Sequence, residues 1–466
     1  GLSFFGRVRK VAMTLPSRTA CILSFGQVLV AAQMAPRMGM SGLGLGVQRL
    51  GNCPEVAPWP ELLQQINSGA EAFKSGKFAE AKALLADAAE VATRDEQQAF
   101  SCSLGVSALY RALAFAFCSE HHEDARVARR ANQIGLRFLH LAMNWLTHTF
   151  VTTNHDQALI DGSAWPIGIQ EINNDLTSVS AAIQSSPASL PSSSEVPHDF
   201  SRKDLQIAIV SLCAYPADHP LPRYSSSNQG MYAEKHGYTY IVERELVDTT
   251  RPPAWGKIKL MEREVNSGRW DWVVWADCDT YFMNMSVTIE SVLQTYAGRN
   301  PGGSGELDPE VQMIVSEDSA MLNTGIFFVR STDWVKDLFR RVWGRDDSPW
   351  IHHPWWENAA IAWQFLKDNP RRFASEDLDE WSKSGEDDVV GVYPREVRVA
   401  PQSHFNSYHP ITSRFQHDTW EEGKFVIAFN GVLSGSSPTV VQVLYGNYYQ
   451  KACQLNQIEN RCLNVE

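Results

Sequence analysis

Asp277 and Asp279 stand two apart, with one cysteine between them, where the apolar run Trp272–Ala276 ends in DWVVWADCDTYF. Alternation along an extended chain puts the two carboxylates on one side and Cys278 on the other. Two carboxylates that close call for a proton or a cation between them. Hard oxygen ligands suit Mg²⁺ or Mn²⁺, ions that commonly clamp phosphates. A metal that bridges a diphosphate stabilises it as a leaving group. The pair therefore reads as the centre of a metal-dependent transfer from a nucleotide-activated donor. The bland alternative is a solvated loop after a strand.

The elements around the pair predict an α/β architecture. Leu205–Cys213 reads as a buried strand, SNQGMYAEKHGY as a helix ending near Gly237, and TYIVE as the next strand. AWGKIKLMEREVNSG is an amphipathic helix stopped at Gly268. Further strands are expected at Val311–Val315, Gly325–Val329 and Phe425–Phe429, and helices at Thr332–Trp343 and Trp355–Leu366. Asn300–Asp308 and Ser375–Asp388 are expected to be loops. Strands alternating with helices predict a parallel sheet. Ligands of such sheets bind beyond the carboxyl ends of the strands, where the aspartates lie.

Upstream, Pro58–Leu146 reads as wholly helical, with amphipathic stretches near Glu96–Phe117 and Glu123–Leu146. Ala72, Phe73, Gly76, Phe78, Ala81, Leu85 and Ala88 fit either a tetratricopeptide-like hairpin or a generic helical bundle. The chain of 466 residues thus divides into a leader at 1–50, a helical domain at 53–183, and a Ser/Pro linker at 184–203. An α/β domain at 204–450 and a tail at 451–466 follow. Net charge is −12, which argues against a nucleic-acid partner. The eight cysteines form no CxxC pair, against a zinc module. Cys453 and Cys462 are close enough in sequence for a disulfide, or are two free thiols. Arg7, Arg9, Lys10 and Arg18 precede the apolar TACILSFGQVLVAAQ, the pattern of a secretory signal peptide or short anchor, with an organellar leader as the alternative. The sequon Asn284-Met285-Ser286 suits secretory entry.

Six spaced segments, in order, resemble glycosyltransferase family 34. They are YAEKHGYTY, PAWGKIKLM, WDWVVWADCDTYFMN, LNTGIFFVRSTDW, HPWWENAA and PQSHFNSYHP, and FVIAFNGV is similar to that family's closing strand. The resemblance covers roughly half the chain and leaves out the helical region. It implies a GT-A (Rossmann-like) fold, Mn²⁺ (or Mg²⁺), a UDP- or GDP-linked sugar donor, a glycan acceptor, retention of anomeric configuration, and the Golgi lumen. By the same resemblance Asp277 and Asp279 are metal ligands, and Lys257, Asn323, Thr324 and Gly325 are donor contacts. Glu357 and Asn358 match a Glu-Gln pair. Glu357, Asn358 and Asp318 are then the catalytic candidates, with Glu317 a further carboxylate to test as a nucleophile. Asn406, Ser407 and Tyr408 match a structural element. Trp350, Trp355 and Trp356 are candidates for stacking on sugar, Trp356 above all, or for core packing.

One departure stands out. The family carries a histidine, the third metal ligand, where this chain has Ala428. Asn430 is the candidate to supply an oxygen instead, and His404, His409 and His417 are others. The competing expectation is a non-catalytic protein whose helices scaffold protein partners. A nucleotide-sugar hydrolase or pyrophosphorylase fits less well, because no glycine-rich phosphate loop lies between a strand and a helix.

Overall fold

The structure, a computed structural model, describes residues 59–153, 167–185, 204–216, 219–299, 305–318, 322–384, 392–413, 418–432 and 438–462. The leader and all but the first two residues of the expected linker lie outside them, as does His417. The principal helices of the N-terminal region are α1 (Trp59–Lys74), α2 (Phe78–Ala92), α3 (Ser103–Cys118), α4 (Ala125–Thr153) and α5 (Ile167–Ser185). α1 and α2 form a hairpin that turns at Gly76, whose φ of 74° a side chain would resist. The helix expected over 96–117 is broken at Cys102 into Glu96–Ser101 and α3.

Then come β1 (Ile207–Leu212), α6 (Leu221–His236), β2 (Thr239–Glu243), α7 (Gly256–Asn266), β3 (Trp272–Ala276), β4 (Thr280–Phe282), α8 (Ile289–Ala297), β5 (Met313–Glu317) and β6 (Leu322–Arg330). The chain continues through α9 (Asp333–Trp343), α10 (Trp356–Leu366), β7 (Val397–Ala400), β8 (Ser407–Tyr408), β9 (Val426–Ala428) and α11 (Pro438–Leu455). The six-stranded sheet runs β2-β1-β3-β6-β5-β7, and a small second sheet runs β4-β9-β8. The large sheet is mixed rather than parallel, because β6 is antiparallel to both β3 and β5. Pattern reading missed this: a strand buried on both faces is equally apolar in either direction. The stretch 375–388, expected as a loop, contains a short helix at Leu378–Ser384. The boundary expected at 450 falls inside α11, which packs on α6, and Cys453–Cys462 is a disulfide.

Alternation along β3 explains the two cores. Val273 and Trp275 face one hydrophobic cluster, and Trp272, Val274 and Ala276 face the other. The first cluster is continuous with the interiors of α2, α3 and α4, so the helical region and the sheet share one core. At the junction the Trp145 ring meets those of Trp350 and Trp363, each at 5.3 Å between centroids. The Trp363 indole N–H donates to Glu96 at 2.6 Å, Arg130 pairs with Glu376 at 2.9 Å, and Arg137 pairs with Glu317 at 2.6 Å. Trp350, a candidate for sugar stacking, is a core residue. Among the described residues no helix is long and apolar enough to cross a membrane.

A shared core predicts shared unfolding. Arg137→Met leaves the largely buried Glu317 with the Tyr393 hydroxyl but without its cation, which costs about 2–3 kcal/mol. Denaturant melts followed by tryptophan fluorescence and by far-UV circular dichroism are expected to coincide and to shift together in this variant. A helical transition that moves apart from the sheet transition would contradict the single core.

Candidate active site

The aspartates do not extend β3. The strand ends at Ala276, and Asp277–Asp279 form a turn closed by the Thr280 N–H donating to the Asp277 carbonyl at 3.1 Å. The turn, rather than strand alternation, sets the side-chain directions. The Asp277 N–H donates to the Gly325 carbonyl at 2.8 Å, and the Gln229 amide donates to the Asp277 carbonyl at 2.9 Å. Beyond the turn, the Phe429 N–H donates to the Asp279 carbonyl at 2.9 Å, and Thr280 pairs with Ala428 in the small sheet.

Behind the turn lies a buried charged network. α7 begins at Gly256, so Lys257 sits in its first turn facing the sheet, only 4% exposed. It is not a solvated helix-end lysine. Its ammonium donates to the Thr324 carbonyl at 2.9 Å and to Glu357 Oε1 at 2.9 Å, and lies 3.2 Å from Asp277 Oδ1. With the Thr324 hydroxyl at 3.2 Å its hydrogen bonds are all internal, and its charge reaches the site through the ion pair with Asp277. Burial alone would lower the Lys257 pKa, but Asp277 and Glu357 outweigh it and hold it above the ordinary lysine value. The Trp275 indole N–H also donates to Asp277 Oδ1, at 2.6 Å. Glu357 is 1% exposed; its Oε1 also accepts from the Thr324 hydroxyl at 3.2 Å, and its Oε2 is buried without a partner. Asn358, the shortened member of the Glu-Asn pair, accepts from the Thr324 N–H at 2.8 Å and from its hydroxyl at 2.7 Å. That is a positioning contact within the protein.

A second network flanks the first. Asp318 Oδ2 accepts from the Tyr408 hydroxyl at 2.6 Å and from Asn323 at 3.0 Å, and Asn323 also contacts that hydroxyl. Asn323 Oδ1 accepts from the Gly325 N–H and the Asn406 amide, both at 2.8 Å. A Cβ on Gly325 would lie 3.0 Å from Asn323, 3.1 Å from Asn430 and 3.3 Å from Asn406, so glycine here answers to close approach. The register shift between Ile314 and Ser316 re-aims the chain just before Glu317 and Asp318. Glu317 pairs with Arg137 of α4 and accepts from Tyr393.

The donor set fits a hard divalent cation in part. Asp277 Oδ2 and the Asp279 carboxylate have no side-chain partner among the described residues. Burial and the charge of Asp277 push Asp279 up to about 7, a penalty on its charged form that a bound cation would relieve. The Asn430 carboxamide oxygen, just past β9, is buried and unpartnered, while its amide nitrogen faces Gly325. Among the described residues no three His, Cys, Asp or Glu side chains are grouped to hold a metal. Neither described histidine candidate joins the aspartates. His404 bonds Tyr296, and His409 stacks on Phe429 and accepts from the Ile411 N–H.

Two features escaped sequence reading. Cys278 is disulfide-bonded to Cys213, just past β1, and Gln229 braces the turn. Strand alternation does not apply at Cys278, and its partner lies 65 residues upstream, out of reach of a local pattern. Trp355 is half-buried against His353. Trp356 is 41% exposed with φ 39°, an outlier for a bulky residue that costs on the order of 1–3 kcal/mol.

Residues 207–300 match the galactosyl transferase GMA12/MNN10 family. The chain is 25% identical over 218 residues to an uncharacterized alpha-1,2-galactosyltransferase of Schizosaccharomyces pombe, a match covering 42% of this chain and 57% of that protein. It is 27% identical over 142 residues to the probable alpha-1,6-mannosyltransferase MNN10 of Saccharomyces cerevisiae, covering 26% of this chain and 35% of that one. The chain thus spans between a third and three fifths of the length of these relatives. A solved glycosyltransferase involved in glycosylating the major capsid of PBCV-1 aligns over 54% of this chain and 99% of its own, at 14% identity and a TM-score of 0.33.

The buried network makes a specific energetic claim. Lys257→Met strands Glu357 and is expected to cost about 3–5 kcal/mol in denaturant melts, while Lys257→Met/Glu357→Gln recovers part of it. A raised lysine pKa means the contribution is full below the ordinary lysine value and fades as pH rises through the folded value. The Lys257 contribution is therefore lost only in strong base, while on the acid side the gap narrows, because Glu357, raised by burial and without Lys257 to hold it down, protonates as pH falls. A single-variant cost under about 1 kcal/mol, the level of a surface pair, would contradict the buried pairing.

Proposed function

We propose that this protein, whose residues 207–300 match the galactosyl transferase GMA12/MNN10 family, is a metal-dependent, retaining glycosyltransferase. It moves a hexose or pentose from a nucleotide-diphosphate sugar to a glycan acceptor. The observation that carries this reading is the Asp277–Asp279 turn at the carboxyl end of β3, backed by Lys257 and Glu357. Asp277, Asp279 and the Asn430 oxygen would hold Mn²⁺ or Mg²⁺, which neutralises the diphosphate as it leaves. Lys257 acts from behind, orienting Asp277 and balancing its charge. Thr324, Gly325 and Asn323 are buried behind the adjoining edge, where Gly325 leaves room for the Asn323, Asn406 and Asn430 side chains that shape it. Trp356 presents an exposed indole one residue before Glu357, a surface suited to the apolar face of a sugar.

The carboxylates favour a front-face route over double displacement. A nucleophile must be free to attack the anomeric carbon. Glu357 is held by Lys257 and Thr324, Asp318 by Tyr408 and Asn323, and Glu317 by Arg137 and Tyr393. A front-face reaction needs only leaving-group stabilisation and a positioned acceptor.

The Cys213–Cys278 and Cys453–Cys462 disulfides support an oxidising compartment, in keeping with the secretory lumen. The scaffold alternative rests on Ala428, fully buried in β9, where the resembling family places a histidine. Packing of α4 against α10 and the Leu378–Ser384 helix removes part of the helical surface such a scaffold would offer.

The test is release of nucleoside diphosphate from UDP-galactose, UDP-xylose, UDP-glucose and GDP-mannose, with and without Mn²⁺, on oligosaccharide acceptors. Metal-dependent release from one donor, lost in Asp277→Asn/Asp279→Asn, is expected. Glu357→Gln is expected to keep measurable turnover, since the residue positions Lys257 and does not attack. No release from any donor, together with no metal-dependent binding of UDP or GDP, would favour the scaffold.

A further inference from the structure

We propose that the Cys213–Cys278 disulfide is a positioning element for the aspartate turn, fixing both carboxylates against the end of β1 before any ligand arrives. This rests on the transferase reading above. Cys278 stands between the two aspartates, so the bond restrains the backbone of both. Its partner is itself anchored: the Cys213 N–H donates to the Glu243 carbonyl at 2.7 Å, tying it to β2. Each residue of the turn is thereby held by a different element. Asp277 is bound to β6 and α6, Cys278 to β1, and Asp279 to the chain just past β9. The covalent loop of 65 residues also encloses α7, and with it Lys257.

A redox switch is the competing interpretation of such a bond. The burial decides against it, because Cys213 is 1% exposed and Cys278 3%, and a disulfide shielded from attacking thiolates is slow to exchange. The bond is a permanent staple. Its use follows from the site. Two like-charged side chains on a short turn repel each other, and within the described residues no third acidic or imidazole ligand helps to gather them. Fixing them beforehand lowers the ordering cost of cation capture.

The test titrates Mn²⁺ alone into metal-free protein by calorimetry and records thermal melts in parallel. It compares wild type with Cys213→Ala/Cys278→Ala and with Cys453→Ala/Cys462→Ala, which removes the disulfide at the end of α11. Both variants are expected to melt earlier. Only the first is expected to bind Mn²⁺ more weakly, by about tenfold, the scale seen when supports of metal ligands are removed. Equal affinity in wild type and the first variant, or equal weakening in both variants, would overturn the positioning role while leaving the transferase reading intact. No Mn²⁺ binding by wild type would overturn the positioning role, and its absence with UDP or GDP present as well would overturn both. Should the first variant fail to fold, Cys213→Val/Cys278→Ala refills the buried space and takes its place. In either variant, hydrogen exchange of the 277–280 amides is expected to quicken, and unchanged protection would count against the staple.

Discussion

One ammonium group holds this site together. Lys257 is buried, and a buried cation persists only where its surroundings return the lost hydration. Here the return comes from Glu357, Asp277 and the Thr324 carbonyl. Those partners come from α10, the end of β3 and β6, so the requirement of a single charge fixes three elements of the α/β unit relative to α7. Removing any partner leaves charge stranded in the interior, which makes the arrangement all-or-none. Asp277 belongs to both the buried network and the open turn. It therefore transmits the order of the interior to the place where a ligand would sit.

The helical region enters the same account. Arg137 of α4 answers the charge of Glu317, whose neighbour Asp318 holds Tyr408 and Asn323. The chain from helix to site is short and made of charge-assisted bonds, the strongest kind available to side chains. Trp145, Trp350 and Trp363 seal the junction with apolar surface. The helices are part of the folded unit that carries the site, rather than an appendage tethered to it.

What the sequence revealed, and what it concealed, follows from distance. The aspartate pair was legible because its signal is local: five apolar residues, then two carboxylates. The strand-helix alternation and the end of α6 at Gly237 were legible for the same reason. Lys257 was singled out through the resemblance as a donor contact, but its burial against Glu357, 100 residues away, was not legible. The Cys213–Cys278 bond was hidden by separation too, and the antiparallel β6 by the symmetry of a strand buried on both faces. Asn358 shows the opposite case. The resemblance made it a catalytic candidate, whereas its geometry makes it a cap for Thr324.

The central claim is that Asp277 and Asp279, gathered by the turn and backed by Lys257, form the cation–diphosphate site. Its most direct test is anomalous diffraction at the manganese edge from crystals grown with Mn²⁺ and UDP or GDP. The account predicts a peak within about 2.0–2.3 Å of oxygens of both aspartates, with Lys257 still bonded to Glu357. A peak on other side chains, or a nucleotide bound with no metal near the turn, would contradict it.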